Sequence, residues 1–164
     1  MHPQLHNFSL MTWGEILATE ESARDFLLHP AINLVPDRDQ TPDCPQCGSQ
    51  MKAISNKNKK FGFIFVCSQK YKTKCNGKVC PTQGTFMEGA KIGCQDILAI
   101  IFAFVLRMGI VFTHRQINQW RSKRNLKSMS SETIVDYFCY LREIAEVVAS
   151  HNSKKLGGFG NYYY

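Results

Sequence analysis

Five of the seven cysteines of this 164-residue chain lie between residues 43 and 86, and their spacing constrains the fold more than any other feature. Cys44 and Cys47 form a C-x-x-C pair, and the following Gly48 can adopt the positive φ that lets backbone N–H groups point at thiolate sulfur. Such a turn supplies two ligands of a tetrahedral metal site. The aromatic and β-branched sequence FGFIFVC at 61–67 is typical of a strand that returns a third cysteine to the turn.

The third ligand is therefore Cys67, and two cysteines compete for the fourth position. A loop of basic and small residues separates Cys75 and Cys80 from Cys67, and neither belongs to a second C-x-x-C pair. We favour Cys75, with Cys80 as the alternative. Four thiolates leave no coordination position for water, so the sequence predicts a structural Zn²⁺ in a zinc ribbon and not a catalytic metal.

Three alternative roles for these cysteines compete with a zinc site. Free cysteines are often small buried hydrophobes, but Cys44, Cys47 and Cys75 lie among Pro, Gln, Lys and Asn. Disulfides require an oxidising compartment, and the first thirteen residues show no secretory signal, so we expect an intracellular protein. A C-x-x-C redox site would need a βαβ context, which this segment lacks.

Positive charge is concentrated in two acid-free segments. The chain has 20 Lys and Arg against 13 Asp and Glu, a net charge of +7. Residues 51–80 contain eight lysines, residues 107–127 contain six basic residues, and neither range contains an acid. Because such segments are the expected footprint of a polyanion, we expect double-stranded DNA as the partner. The apolar run at 97–112 is shorter than the ~20 residues that span a bilayer, so no membrane association is expected.

Helix-start signatures organise the rest of the chain. Thr12 is a predicted N-cap, and Thr19 opens a second short helix that ends before Pro30. Residues 83–89 predict a turn and a last short strand. The sequence from 94 to 108 is apolar on all sides and predicts a central helix closed by Gly109.

Two further helices are predicted to begin at Thr113 and after Ser130. The last one, from residue 131 to about 151, carries an apolar stripe at three- and four-residue spacings. Its members are Ile134, Phe138, Leu141, Ile144, Ala145 and Val148. Three helices with a basic corner between the last two predict a helix-turn-helix-like bundle.

The predicted fold class is α+β, in four parts along the chain. Residues 1–42 are an N-terminal helical segment and linker, 43–90 the zinc ribbon of β-hairpins, 91–152 the helix-turn-helix-like bundle and 153–164 a tail. In this arrangement the first turn of the last helix faces the DNA groove and basic side chains meet phosphates. The predicted nucleic-acid-binding residues are Lys57, Lys59, Lys60, Lys70, Lys72, Lys74, Arg115, Arg121, Lys123, Arg124, Lys127, Ser131 and Thr133.

The order of these motifs resembles the Merlin-type DDE transposases of animals, which are similar to bacterial insertion-sequence transposases with a zinc ribbon in front. The resemblance rests on the C-P-Q-C-G motif with its returning cysteines and on GTFMEGAKI at 84–92, where the family reads roughly G-T-F-F-x-x-S-K-L. It continues through the helices around 116–117 and 133–143. It implies that Cys75 is the fourth ligand and that residues 1–156 recognise transposon ends. The expected localisation, for an intracellular protein without a secretory signal, is the nucleus.

Catalysis is not expected of this chain. In the family, a glycine-rich stretch like that at 156–160 precedes a strand with the first catalytic aspartate, but no acid follows Glu146 here. Phosphoryl transfer with two Mg²⁺ ions needs convergent carboxylates. We therefore expect a zinc-dependent DNA-binding protein, a transposon-derived remnant compatible with a homo-oligomer.

Three alternative functions remain open on the sequence alone. The first is a zinc-ribbon module for protein–protein interaction. The second is an active transposase, which would need either a separate chain to supply the acids or a longer product of which this chain is a truncated part. The third is RNA binding, with Phe61, Phe63, Phe65 and Tyr71 stacking on bases.

Overall fold

The computed structural model describes residues 10–30, 32, 34–69 and 74–152. In these ranges the fold is mixed, with five helices and one small antiparallel sheet, as the sequence predicts at this coarse level. The helices are α1 (Leu10–Ile16), α2 (Glu20–Leu27), α3 (Cys94–Val105), α4 (Ile110–Lys123) and α5 (Ser131–Asn152), and the strands are β1 (Met51–Ser55), β2 (Phe63–Cys67) and β3 (Lys78–Val79).

The chain forms two compact units, residues 1–99 and 100–164, so that α3 begins in one and ends in the other. The four-part division expected from the sequence stays a prediction. In the described residues no helix has both the length and the apolar character needed to cross a membrane.

The sheet of the first unit has the order β1-β2-β3, with both neighbouring pairs antiparallel. Met51 lies opposite Cys67, and Phe65 lies opposite Val79. Because side chains alternate along a strand, Met51, Phe63 and Phe65 point to one face, where each is almost fully buried. The rings of Phe63 and Phe65 meet edge to face at 5.4 Å. This aromatic layer fixes the register that brings Cys67 back beside the first cysteine pair.

A carboxylate from α2 caps the N-terminus of α3. Glu20 accepts hydrogen bonds from the backbone N–H groups of Cys94 and Gln95, the latter at 3.1 Å. The side chain of Gln95 donates to the carbonyl of Leu17 at 2.9 Å. A negative group at this position offsets the partial positive charge of the helix end. Thr19, which the sequence places at the start of a second short helix, is the N-cap of α2 and forms a capping box with Ser22.

In the second unit α4 packs on α5, and Ile117 of α4 and Ile134 and Phe138 of α5 are buried. The loop between these helices is fixed by Asn118, whose side chain accepts from Met129 N–H at 2.7 Å and donates to Met129 O at 3.0 Å. Ser130 caps α5 as predicted, since its hydroxyl accepts from the N–H of Thr133 at 3.3 Å. The loop geometry is therefore set by a side chain of α4 itself.

The end of α3 differs from the prediction that Gly109 closes it. The N–H of Arg107 donates to Phe104 O and that of Met108 donates to Ala103 O, both at 2.9 Å. These two bonds, with Arg107 at φ 55°, make a Schellman motif in which Arg107 occupies the left-handed position. Gly109 instead is the N-cap of α4, with φ −67°.

Three further local predictions are wrong. Helix α1 begins at Leu10 and runs through Thr12, because leucine and methionine are good helix formers and extend the helix past the expected cap. Thr113 lies buried inside α4, one turn after its start. Residues 83–89 form consecutive turns instead of a strand, and Gly84 and Gly89 have φ of 75° and 69° there. A capping or alternating pattern extends over only a few residues, and the surrounding structure decides whether the predicted helix start or strand forms.

Candidate metal centre

Four cysteine sulfurs converge at the edge of the sheet. The Sγ atoms of Cys44, Cys47, Cys67 and Cys75 all lie within 4.8 Å of one another. The Sγ atoms of Cys44 and Cys75 are 3.6 Å apart, and those of Cys47 and Cys67 are 3.5 Å apart. The four cysteines are therefore close enough to hold a metal ion. Cys80, which competes with Cys75 on sequence spacing, is exposed and does not belong to this cluster.

The secondary structure explains how the four thiols meet. Cys44 and Cys47 lie in the turn before β1, where Gly48 N–H donates to Cys44 O at 2.8 Å and Gly48 adopts φ 69°, the positive value predicted for it. Cys67 is the last residue of β2, directly opposite Met51 at the start of β1. Cys75 precedes β3, whose pairing with β2 brings it alongside.

Backbone N–H groups already point at three of the sulfurs. The N–H of Gln69 donates to Cys67 Sγ at 3.4 Å, and the N–H groups of Ser49 and Gly77 hydrogen-bond to Cys47 and Cys75. In each case the donor is the second residue after the cysteine. This repeated arrangement stabilises the thiolate form, which is the form that binds metals.

The thiols differ in acidity because their surroundings differ. Hydrogen bonds from the backbone and then the side chain of Ser49 lower the pKa of Cys47 to about 6. Burial raises the pKa of Cys67 to about 12. A buried neutral thiol beside an ionised one is the expected pattern when four sulfurs share a small volume without a cation. A bound divalent cation would remove this conflict by favouring ionisation of all four.

Gly77 is a residue of the site that sequence analysis missed. A Cβ at this position would lie 2.3 Å from Cys44 Sγ and 3.6 Å from Cys75 Sγ. The carbonyl of Gly77 also accepts from Cys67 N–H at 3.0 Å. Only a residue without a side chain lets this backbone pass so close to the sulfurs. The signal in the sequence is a glycine shortly after a ligand: Gly77 follows Cys75 by two residues, and Gly48 follows Cys47 by one.

The donor set fits a tetrahedral thiolate site. A Zn–S bond of ~2.3 Å places tetrahedral sulfurs about 3.8 Å apart. Two of the pair distances, 3.5 and 3.6 Å, are close to that value, and no pair of the four sulfurs is more than 4.8 Å apart. Soft thiolate ligands in this geometry favour zinc or an iron–sulfur centre over Mg²⁺ or Ca²⁺. With all four positions taken by sulfur, the centre has no place for a reacting water.

The predicted basic residues of the first unit differ in their exposure and in their hydrogen bonds. Lys57 and Lys59 are exposed in the turn between β1 and β2, and Lys74 is exposed beside Cys75. Lys60 is half-buried, and its ammonium donates to Ala90 O at 2.7 Å and to Ile92 O at 2.6 Å. Burial lowers the pKa of Lys60. Its side chain therefore fastens the segment before α3 to the ribbon. The predicted residues Lys70 and Lys72 lie outside the described residues.

Two lysines on the outer face of the sheet were not among the predicted contacts. Lys52 pairs with Val66, and Val66 pairs with Lys78, so the three lie in one row across the strands. Both lysines are exposed. The alternation of buried Met51 with Lys52 in β1 was the signal that would have indicated them.

In the second unit four of the predicted basic residues lie at the end of α4 or in the loop that follows it, and Arg115 lies nearer the start of α4. Lys123 and Lys127 are exposed, as is Arg115 on α4. Arg121 donates from Nε to Lys127 O at 2.8 Å, and the Arg124 guanidinium stacks 4.5 Å from the centre of the Trp120 ring. Two of these five cations thus also shape the loop. In the first turn of α5, Ser131 is exposed and Thr133 half-buried.

Comparison with protein-family profiles, with characterised proteins and with solved structures gave no match to this chain.

Proposed function

We propose that this chain binds double-stranded DNA and that a structural Zn²⁺, held by Cys44, Cys47, Cys67 and Cys75, organises the binding surface. The observation that carries the proposal is a four-thiol cluster next to a sheet with exposed lysines. The segment from residue 51 to residue 80, which contains this sheet, has no acidic residue. Zinc is the metal that such a closed sulfur site most commonly holds in proteins. A DNA-binding ribbon of this kind agrees with the resemblance to Merlin-type DDE transposases.

The metal would act through folding. The ribbon has a short sheet with a small aromatic layer, and structural metals commonly add stability where the hydrophobic core is small. Zinc would tie the turn at Cys44 to β2 and to the segment before β3. Because the metal-binding free energy is then folding free energy, the lysines keep a fixed arrangement only while the metal is bound.

The proposed contacts of the first unit are the exposed lysines of the ribbon. Lys57 and Lys59 lie at the hairpin turn, Lys74 lies beside the metal site, and Lys52 and Lys78 lie on the outer face of the sheet. Lys60 is not among them, because its ammonium is bound to two carbonyls. These contacts would supply affinity for phosphates that does not depend on sequence.

The second unit would add contacts through a helix-turn-helix-like arrangement of α4 and α5. Lys123 and Lys127 would meet phosphates, while Ser131 and Thr133 in the first turn of α5 would face the groove. The connection between these helices, residues 124–130, is longer than the usual turn of three or four residues. Sequence preference, if the protein has one, would then depend on α5.

The test is equilibrium binding of the zinc-loaded full chain to duplex DNA over a series of salt concentrations, with and without a strong chelator. We expect the logarithm of the affinity to fall linearly with the logarithm of the salt concentration. We also expect chelation to abolish most of the binding. Equal binding with and without the metal would contradict the proposal, and saturable binding of a protein partner without DNA binding would favour a protein-interaction module.

Charge-removal variants make this test specific. Replacing Lys57 and Lys59 together by Gln is expected to reduce the salt slope by about 2, since each phosphate contact contributes roughly 0.9. Lys91→Gln removes one exposed charge outside the proposed surface and serves as the control. If the control variant lowers affinity as much per charge as the ribbon variants do, the binding depends on net charge alone.

A further inference from the structure

An apolar groove lies in the second unit, where the end of α3 meets α5. Its volume is about 390 Å³, and it is lined by Phe104, Val105, Arg107, Met108, Phe138 and Arg142. The rings of Phe104 and Phe138 meet edge to face at 5.4 Å and form its floor. Both arginines are exposed. The groove therefore combines an apolar floor with positive charge.

The apolar stripe of α5 continues this groove toward the C-terminus of the helix. Its first half is buried, with Ile134 fully buried and Phe138 4% exposed. Its second half is open, with Ile144 43% and Val148 54% exposed. The same three- and four-residue spacing runs through both halves. A helical segment lying along α5 could place apolar side chains both on the stripe and in the groove, as amphipathic helices do in helix-binding proteins.

The wall of the groove contains a residue type that the local backbone disfavours. Arg107 adopts φ 55° at the left-handed position of the Schellman motif that ends α3. Glycine is the usual residue there, and asparagine is the usual substitute. Helix α4 follows that rule, because Asn125 adopts φ 55° at the equivalent position. Arg107 therefore holds its guanidinium beside the apolar groove at a position that glycine would suit better.

The charge at the groove also determines which partner would fit. Among the described residues neither Arg107 nor Arg142 has an ion pair with a carboxylate of this chain. Acidic groups flanking the apolar side chains of a partner would meet these guanidinium groups, and basic groups would be repelled. We propose that this groove and the exposed half of the α5 stripe bind an acidic amphipathic helix of a partner protein.

The proposal can be tested with a labelled synthetic helix that carries Leu and Phe at three- and four-residue spacings, flanked by glutamates. A second peptide has lysine in place of each glutamate. Binding of each peptide to the zinc-loaded full chain is measured by fluorescence anisotropy. We expect saturable binding of the acidic peptide and at least about tenfold weaker binding of the basic one. Equal binding of the two peptides, or no binding of either, would overturn the proposal.

Variants of the chain separate a binding role from a structural one. Arg107→Gly and Arg142→Gln are each expected to weaken binding of the acidic peptide roughly twofold to fivefold. Arg107→Gly should at the same time keep or raise the melting temperature, because glycine suits the left-handed position. Loss of binding in this variant therefore cannot come from unfolding. Unchanged peptide affinity in both variants would overturn the proposal.

Two further measurements distinguish other occupants of this surface. The affinity of Arg107→Gly for duplex DNA should change no more than that of the Lys91→Gln control, and a fall as large as the fall in peptide affinity would assign the arginine to nucleic-acid binding instead. Val148→Ser should weaken binding of the acidic peptide without changing the sedimentation of the free chain. If the unaltered chain self-associates and Val148→Ser abolishes that association, a second copy covers the stripe and the proposal fails.

Discussion

The replacement of Gly77 by alanine is the sharpest test of the metal site. The new Cβ would lie 2.3 Å from Cys44 Sγ, whereas carbon and larger atoms pack at about 3.5–4 Å. Relieving the overlap needs a displacement of more than about 1 Å by the sulfur or the backbone. Metal–ligand distances tolerate only about 0.2 Å. Gly77→Ala is therefore expected to remove Cys44 from the ligand set.

The size of the effect follows from the loss of one ligand in four. Structural Zn²⁺ sites bind with roughly 10–16 kcal/mol at neutral pH. If each thiolate contributes an equal share, losing Cys44 costs about 3 kcal/mol, which weakens zinc binding about 100-fold. The assay is competition for zinc against a chromophoric chelator. Loading with Co²⁺ provides a second measurement, because the thiolate-to-metal charge-transfer absorption falls when a sulfur leaves the cation.

Gly14→Ala is the matched control, since a Cβ at Gly14 in α1 meets no atom within 4 Å. We expect this variant to bind zinc as the unaltered chain does. The contrary result would be a Gly77→Ala variant that binds zinc within about threefold of the unaltered chain and keeps the charge-transfer intensity of four thiolates. In that case the turn tolerates a side chain at residue 77, and the close approach of Gly77 to Cys44 does not constrain the site.

Three further outcomes are expected. Cys75→Ser should weaken zinc binding strongly while Cys80→Ser leaves it unchanged, because only Cys75 lies in the cluster; equal effects in the chelator competition would contradict this assignment. Zinc affinity should fall as the pH is lowered from about 8 to 6, because protons compete for the thiolates and burial already raises the pKa of Cys67 to about 12; a zinc titration at several pH values measures this. Glu20→Gln should lower the free energy of unfolding by about 1 kcal/mol, because Glu20 caps α3. The control Glu21→Gln should lower it less. Denaturant titration measures both losses, and equal losses would mean that the cap has no role.

Much of the metal site is local, and for that reason it could be predicted from the sequence. Cys44 and Cys47 are placed by a short turn, and Gly48 takes the positive φ that this turn requires. The strand that ends at Cys67 was indicated by its aromatic and β-branched composition. Spacing alone left the choice between Cys75 and Cys80 open, because the loop after Cys67 is long enough to bring either one within reach.

Features that depend on residues distant in sequence required the structure. Gly77 approaches Cys44 across more than thirty positions, and no property of the glycine alone indicates that contact. Lys60 resembles the surface lysines around it until its hydrogen bonds to Ala90 and Ile92 are located. The cap of α3 by Glu20 joins residues more than seventy positions apart.

Helix boundaries also depend partly on the local sequence and partly on the folded structure. The pattern at Ser130 is used as a cap, while similar patterns at Thr12 and Thr113 lie inside helices. A capping residue offers a hydrogen bond to a helix end but does not prevent the helix from beginning earlier.

The local sequence is sufficient to recognise the two basic segments, the C-x-x-C turn and the mixed helix and strand content. The folded chain adds which thiols converge, which lysines stay exposed, and that Arg107 carries its charge at a strained helix end beside an apolar groove. These features depend on distances between segments, and a one-dimensional pattern contains no such distances.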